Sequence, residues 1–167
     1  MTGKPLPQLP GWHCFACDPT HDKGLHLTFT AFPPNRIRTK VTLSDDYTGI
    51  DSIVHGGILA TIFDELMSWG LFRWRRKLHV TAHLEQRMRL PVLAGVPLVA
   101  EAEVEESHSA SRARVTARMW AADDPDTILA QSTALFLVAP DSALDTVPAD
   151  QRADLEALFA SFAATDA

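Results

Sequence analysis

The longest periodic stretch in the chain lies between His55 and Lys77, where Ile58, Leu59, Ile62, Phe63, Leu66, Met67, Leu71 and Phe72 recur at three- and four-residue spacing. That period predicts one long helix, and apolar residues on so much of its circumference require other structure to wrap it. Arg73, Arg75, Arg76 and Lys77 near its end suit the negative pole of the helix dipole. The segments on either side alternate apolar and polar residues instead. Leu25–Phe29 and Arg36–Leu43 flank the turn signal Pro33-Pro34-Asn35 and read as a hairpin. Four more strand patterns follow the helix, at about 79–90, 96–106, 111–122 and 128–138, divided by Pro91, Gly95, Ser107–Ser109 and Asp123–Asp126. The order ββαββββ predicts an α+β fold in which an antiparallel sheet covers one central helix.

The ends of the chain read differently. Residues 1–24 are rich in Pro, Gly, His and Asp without an apolar period, which predicts an N-terminal arm without strand or helix; residues 25–140 form the body. In the tail, 141–167, Leu155, Leu158, Phe159 and Phe162 fall at helical spacing and predict a short amphipathic helix.

A chain of 167 residues with 46% hydrophobic content fits one domain with a real core. Its formal charge of −6 argues against a nucleic-acid partner, which would demand a basic surface. No apolar run approaches the roughly 20 residues needed to span a bilayer, and residues 1–10 lack the apolar core of a signal peptide, so a soluble cytoplasmic protein is expected. Two cysteines, Cys14 and Cys17, are too few for a disulfide scaffold. With His13 and His21 they supply the ligand types of a zinc site. All four lie within nine residues and no distant second pair exists, so the reading is a small apolar arm packed on the body, with no metal assigned.

The chemistry concentrates at His55-Gly56-Gly57, which opens the helix, and at Asp64 within it. Amide groups in the first turn of a helix point outward unpaired and can hydrogen-bond a carbonyl oxygen or developing oxyanion; a glycine pair there equally serves a tightly packed cap. Asp64 lies on a stripe of small or polar residues that includes Gly57, Ala60, Thr61 and Ser68, so its carboxylate should be partly buried and needs either a partner or a job. Glu65 points about 100° away round the helix, and one pocket should favour one of the two. Gly56 and Asp64 are eight residues apart, about 12 Å along a helix, whereas a reacting carbonyl must lie roughly 3 Å from each group acting on it. If both act on one carbon, they come from two subunits with antiparallel helices, and a homodimer with two composite sites follows. Exposed sheet edges favour oligomerisation as well.

The ββαββββ order, with His-Gly-Gly and an Asp nine residues after the His, resembles the hotdog-fold thioesterases, especially the phenylacetyl-CoA and THEM-type branch. The resemblance covers about residues 14–138; Cys14-Phe15-Ala16-Cys17 and Lys23-Gly24-Leu25 look like the N-terminal segment of THEM4-like members. It implies an acyl-CoA substrate, a thioester carbonyl polarised by Gly56, and attack on that carbonyl by Asp64 or by water that Asp64 activates. It also implies a hydroxyl on the next strand, here Thr81, that positions the water. Some relatives carry an Asn before His-Gly-Gly; Gly49 stands at about that place here, so that residue's role does not transfer. Aspartates in general are ionised at neutral pH, and the reaction needs neither metal nor organic cofactor.

His55 joins the expected catalytic set as a group that orients the glycine turn or hydrogen-bonds near the thioester, although a packing histidine explains it as well. Gly57, Thr61, Glu65 and Arg87 form the expected substrate-binding set. Glu65 is read as the more structural of the two carboxylates. Arg87 and Arg89 share one face of the Thr81 strand, where they could meet CoA phosphates or simply be solvated. Two other functions fit the same fold: an acyl-CoA hydratase or dehydratase, for which His55 alone is a poor match, and a non-catalytic acyl-CoA-binding module. The acyl group, and pairing of dimers into a tetramer, are left open.

Overall fold

The computed structural model describes residues 3–105 and 109–164. Helix α1 spans Gly56–Arg75, close to the span its periodicity predicts. His55 caps its start by accepting the Gly57 N–H on its ring, and Arg76, in the left-handed conformation, closes it with an N–H to the Phe72 carbonyl. Ile62, Phe63, Leu66, Met67 and Leu71 are fully buried. Each such side chain contributes about 1.5–3 kcal/mol relative to an exposed position.

The wrapping layer is a seven-stranded antiparallel sheet. In chain order its strands are β1 (Lys4–Pro5), β2 (Thr30–Phe32), β3 (Arg36–Thr42), β6 (His79–Met88), β7 (Pro97–Val104), β8 (Arg112–Ala121) and β9 (Ala130–Val138). In space they run β1-β2-β3-β7-β8-β9-β6. The remaining two strands, β4 (Thr48–Ile50) and β5 (Ile53–Val54), make a separate small hairpin just before the helix. Strand periodicity turns Ala100, Ala102, Ala113, Ala117, Ala130 and Ala134 inward, all buried. Alanines on the inner face leave room for the larger side chains of α1. The approach is tightest at Gly70, where an added Cβ would lie 3.1 Å from Val104 Cγ2 and 3.4 Å from Ile37 Cγ2.

Four elements depart from the expectations. The first hairpin strand begins at Thr30, not Leu25. Leu25, Leu27 and Phe29 do alternate with exposed neighbours, but the Leu25 and Leu27 amides bond to the carbonyls of Phe15 and Ala16. The arm thus occupies the edge a longer hairpin would have used. It also carries β1, which pairs with β2 and corrects the reading of 1–24 as free of strand. The β4–β5 hairpin is a second addition. The tail helix α2, Ala149–Ala164, is longer than the short helix expected. Leu155, Leu158, Phe159 and Phe162 are buried in the same core as α1, and Trp12 Nε1 donates to Asp154 at 3.0 Å, tying arm to tail. The expected strand end at Glu106 and the turn residues Ser107 and His108 lie outside the described residues. Among those described, no helix is long and apolar enough to cross a membrane.

Candidate active site

The structure brings Asp64 and Thr81 together: Thr81 Oγ1 donates to Asp64 Oδ1 at 2.6 Å. Asp64 is half-buried on α1, and Thr81 is exposed on β6, which ends the sheet and pairs only with β9. A β-bulge aims the hydroxyl. Thr81 is opposite Phe136 and His83 opposite Leu135, so Ala82 is an extra residue. Before the bulge His79 and Thr81 face the helix; after it Leu84, Gln86 and Met88 do, opposite the buried Ala134, Ser132 and Ala130.

Sequence reasoning missed the neighbouring pair His79 and Ser68. Ser68 lies one helical turn after Asp64, and its Oγ is 2.7 Å from His79 Nε2, while His79 Nδ1 lies 3.1 Å from the Lys77 carbonyl. A carbonyl can only accept, so the proton sits on Nδ1 and the Ser68 hydroxyl donates to Nε2. Burial among Phe72 and Phe136 holds the His79 pKa below its ordinary value, against the opposing pull of the Lys77 carbonyl and the Asp64 charge. A helical i,i+4 relation between Asp64 and Ser68 was the available signal; the fold-back of His79 was not.

At the start of α1, the Gly57 N–H is committed to His55 Nδ1 at 3.0 Å and the Thr61 hydroxyl to the Gly57 carbonyl at 3.0 Å. The Gly56 N–H has no hydrogen-bond acceptor among the described residues. Gly56 is exposed and borders an open depression of about 410 Å³ lined also by Val54, Leu59, Met88, Leu90 and Val92. Asp64 and Thr81 do not line it. His55 therefore orients the glycine turn, packed against Gly49, where an added Cβ would meet its ring at 3.2 Å.

Glu65 turns the other way. Its Oε1 accepts from Trp69 Nε1 at 2.9 Å and lies 3.6 Å from Cys14 Sγ. Arg87 is on the sheet face away from the helix, where it pairs with Glu85 at 3.6 Å and borders a polar groove with Glu101 and Arg118. The bulge reverses the alternation between Thr81 and Arg87, so the two lie on opposite faces of the strand. His13 and His21 do not join the two cysteines; His21 Nδ1 accepts instead from the Lys23 amide at 3.2 Å.

The sequence profile of the thioesterase superfamily matches residues 51–128, which hold Gly56, Asp64 and Thr81. A solved thioesterase superfamily protein superposes with a TM-score of 0.68 at 22% identity, over 75% of this chain and 60% of its own. This chain thus spans less than two thirds of that relative. The zebrafish thioesterase superfamily member 2 gives 0.66 at 16% identity over 76% of this chain and 92% of its own. The E. coli PaaI protein of the phenylacetic acid degradation operon gives 0.63 at 14% identity over 71% and 83%. No curated protein sequence matches the chain. The α+β hotdog fold and the resemblance to this superfamily are both borne out.

Proposed function

We propose that this chain, with the hotdog fold and a thioesterase superfamily match across its helix and strands β6 to β8, is an acyl-CoA thioesterase that works as a homodimer. The observation that carries the reading is the 2.6 Å bond from Thr81 to Asp64 beside an exposed sheet edge. The second oxygen of Asp64 accepts no hydrogen bond from the described residues. The Gly56 N–H, without an acceptor among the described residues, sits slightly more than two helical turns away on the same helix.

Neither half is a complete site. A carbonyl next to Asp64 is out of reach of its own Gly56, since eight residues of helix are about 12 Å. Pairing two copies along β6 with antiparallel helices brings the Gly56 of one subunit to the Asp64 of the other. The exposed apolar residues near this edge, Val80, Met88, Leu90 and Leu137, are then covered. In the composite site, the Gly56 N–H accommodates the carbonyl oxygen as negative charge grows on it. The Asp64 carboxylate adds to the carbonyl carbon or takes a proton from the water that does. In either case CoA thiol leaves with a proton; direct addition of water gives the free acid at once, whereas the mixed anhydride formed by carboxylate attack is hydrolysed by a water that releases the acid and restores Asp64. The depression beside Gly56, lined by Leu59, Met88 and Val92, suits an apolar portion of the acyl-CoA.

Thiol release from short, medium, long and aromatic acyl-CoAs tests the activity. Subunit complementation tests the assembly: Asp64→Asn and Gly56→Pro homodimers should each be inactive. Random mixing should restore about a quarter of wild-type activity, because half the dimers are mixed and each of these holds one intact site. No recovery on mixing would place both groups in one subunit's site and refute the composite arrangement. Acyl-CoA binding without thiol release by wild type would make the chain a binding module.

A further inference from the structure

We propose that Cys14, Cys17 and Glu65 hold a zinc-class divalent cation that fastens the N-terminal arm to helix α1. The two thiol sulfurs and a carboxylate oxygen of Glu65 all lie within 4.8 Å of one another. A tetrahedral zinc with sulfur at about 2.3 Å and oxygen at about 2.0–2.2 Å sets its ligand atoms about 3.5–3.8 Å apart. The Cys14 Sγ to Glu65 Oε1 distance of 3.6 Å already meets that spacing.

The backbone around Cys14 gives an independent reason. The Cys17 amide donates to Cys14 Sγ at 3.3 Å. Amides aimed at a sulfur stabilise the thiolate, the form that binds metal. The turn is fixed from behind by Asp18, which accepts from the His13 amide at 2.8 Å and from the Thr20 amide and hydroxyl at 2.7 Å each. The loop is therefore shaped by the chain itself, with its sulfurs presented to the helix.

Charge completes the case. Glu65 forms no ion pair with any described Lys, Arg or His, and the hydrogen bond it accepts from an uncharged nitrogen comes from Trp69. A partly buried carboxylate packed on two sulfurs is short of positive charge, and a divalent ion supplies it. Two thiolates select zinc or a similarly thiophilic ion over calcium or magnesium. With His13 and His21 outside the cluster, water takes the fourth position. The role is structural, because Glu65 is turned away from the Asp64–Thr81 pair.

The test uses the full chain, expressed with zinc and purified without chelator. The expected result is one zinc per protomer by elemental analysis. Replacement by cobalt(II) should give a thiolate-to-cobalt charge-transfer band and the intense visible bands of a tetrahedral ion, all absent in Cys14→Ala/Cys17→Ala. Glu65→Gln keeps the shape and the acceptor for Trp69, so it guards against misfolding of the double variant. With an unchanged far-ultraviolet circular dichroism spectrum it should bind zinc at least about tenfold more weakly. A metal-free wild type without the cobalt bands, a Cys14–Cys17 disulfide in its place, or bands that persist in the double variant would each overturn the proposal.

Discussion

Helix α1 carries two carboxylates one residue apart, and the flanks they face differ in what closes them. On one flank Asp64 accepts, among the described residues, a single hydrogen bond, from Thr81 on an edge strand whose outer side meets no other described strand. On the other, Glu65 is enclosed by the Trp69 indole, Cys14, Cys17 and the arm, which in turn bonds to the 25–27 segment. The sheet edges repeat the contrast. The edge near the arm is blunted by a two-residue strand containing Pro5, whereas β6 is ten residues long with Val80 and Met88 exposed. Adjacent residues of one chemical class thus acquire different work from the backbone that reaches them, and a carboxylate stays available for reaction where the fold leaves its flank unfinished.

If the open flank is the reactive one, Asp64→Asn should lower kcat for thiol release by about a thousandfold or more while leaving the thermal midpoint in place. Full activity in that variant would abolish the distinction between the flanks. Gly56→Pro should cost about 100- to 1000-fold in kcat, because it removes an N–H aimed at the carbonyl. Proline is well tolerated at the first helical position, so circular dichroism should show α1 intact. Thr81→Val removes a hydrogen bond to a charged acceptor worth about 1.5–3 kcal/mol, which predicts a fall in kcat of about 10- to 100-fold. Steady-state kinetics with an unchanged Thr81→Val rate would mean that the bond does not position Asp64.

The closed flank should answer in stability instead. Trp69→Phe keeps an aromatic ring stacked on Phe29 but takes the donor from Glu65, and should cost about 1–3 kcal/mol, several degrees in Tm by calorimetry, with kcat nearly unchanged. A large kcat loss there would show that the flanks communicate. The smallest effect concerns His79. Burial lowers its pKa in the folded state, so the unfolded chain binds the proton first as pH falls. Its contribution is flat above about pH 6.5, and stability declines below that value, towards the folded pKa. In His79→Gln, urea midpoints measured down this range should fall less steeply than in wild type.

What could be read from the residues follows from the range of the interactions involved. Helix α1 and strands β6 to β9 were legible because burial imposes a period that local sequence records, as in Leu98, Ala100, Ala102 and Val104. The arm was not, since its order comes from backbone bonds such as Leu25 N–H to Phe15 C=O, which leave no side-chain signature. Thr81 was singled out by the resemblance of the motif, as a hydroxyl that positions water; its bond to Asp64 is a contact 17 positions apart that the sequence does not announce. The company of Glu65 depended on how the arm folds back across 51 positions of sequence to Cys14. The bulge was not legible either, because nothing in the composition of β6 announces an extra residue at Ala82.

That extra residue makes β6 two half-strands of opposite phase. The leading half, with His79 and Thr81, faces Asp64 and its helix; the trailing half, with Met88, walls the depression beside Gly56. On the proposed reading, substitutions in the leading half alter rate and those in the trailing half alter acyl preference, so the two properties can diverge along a single strand.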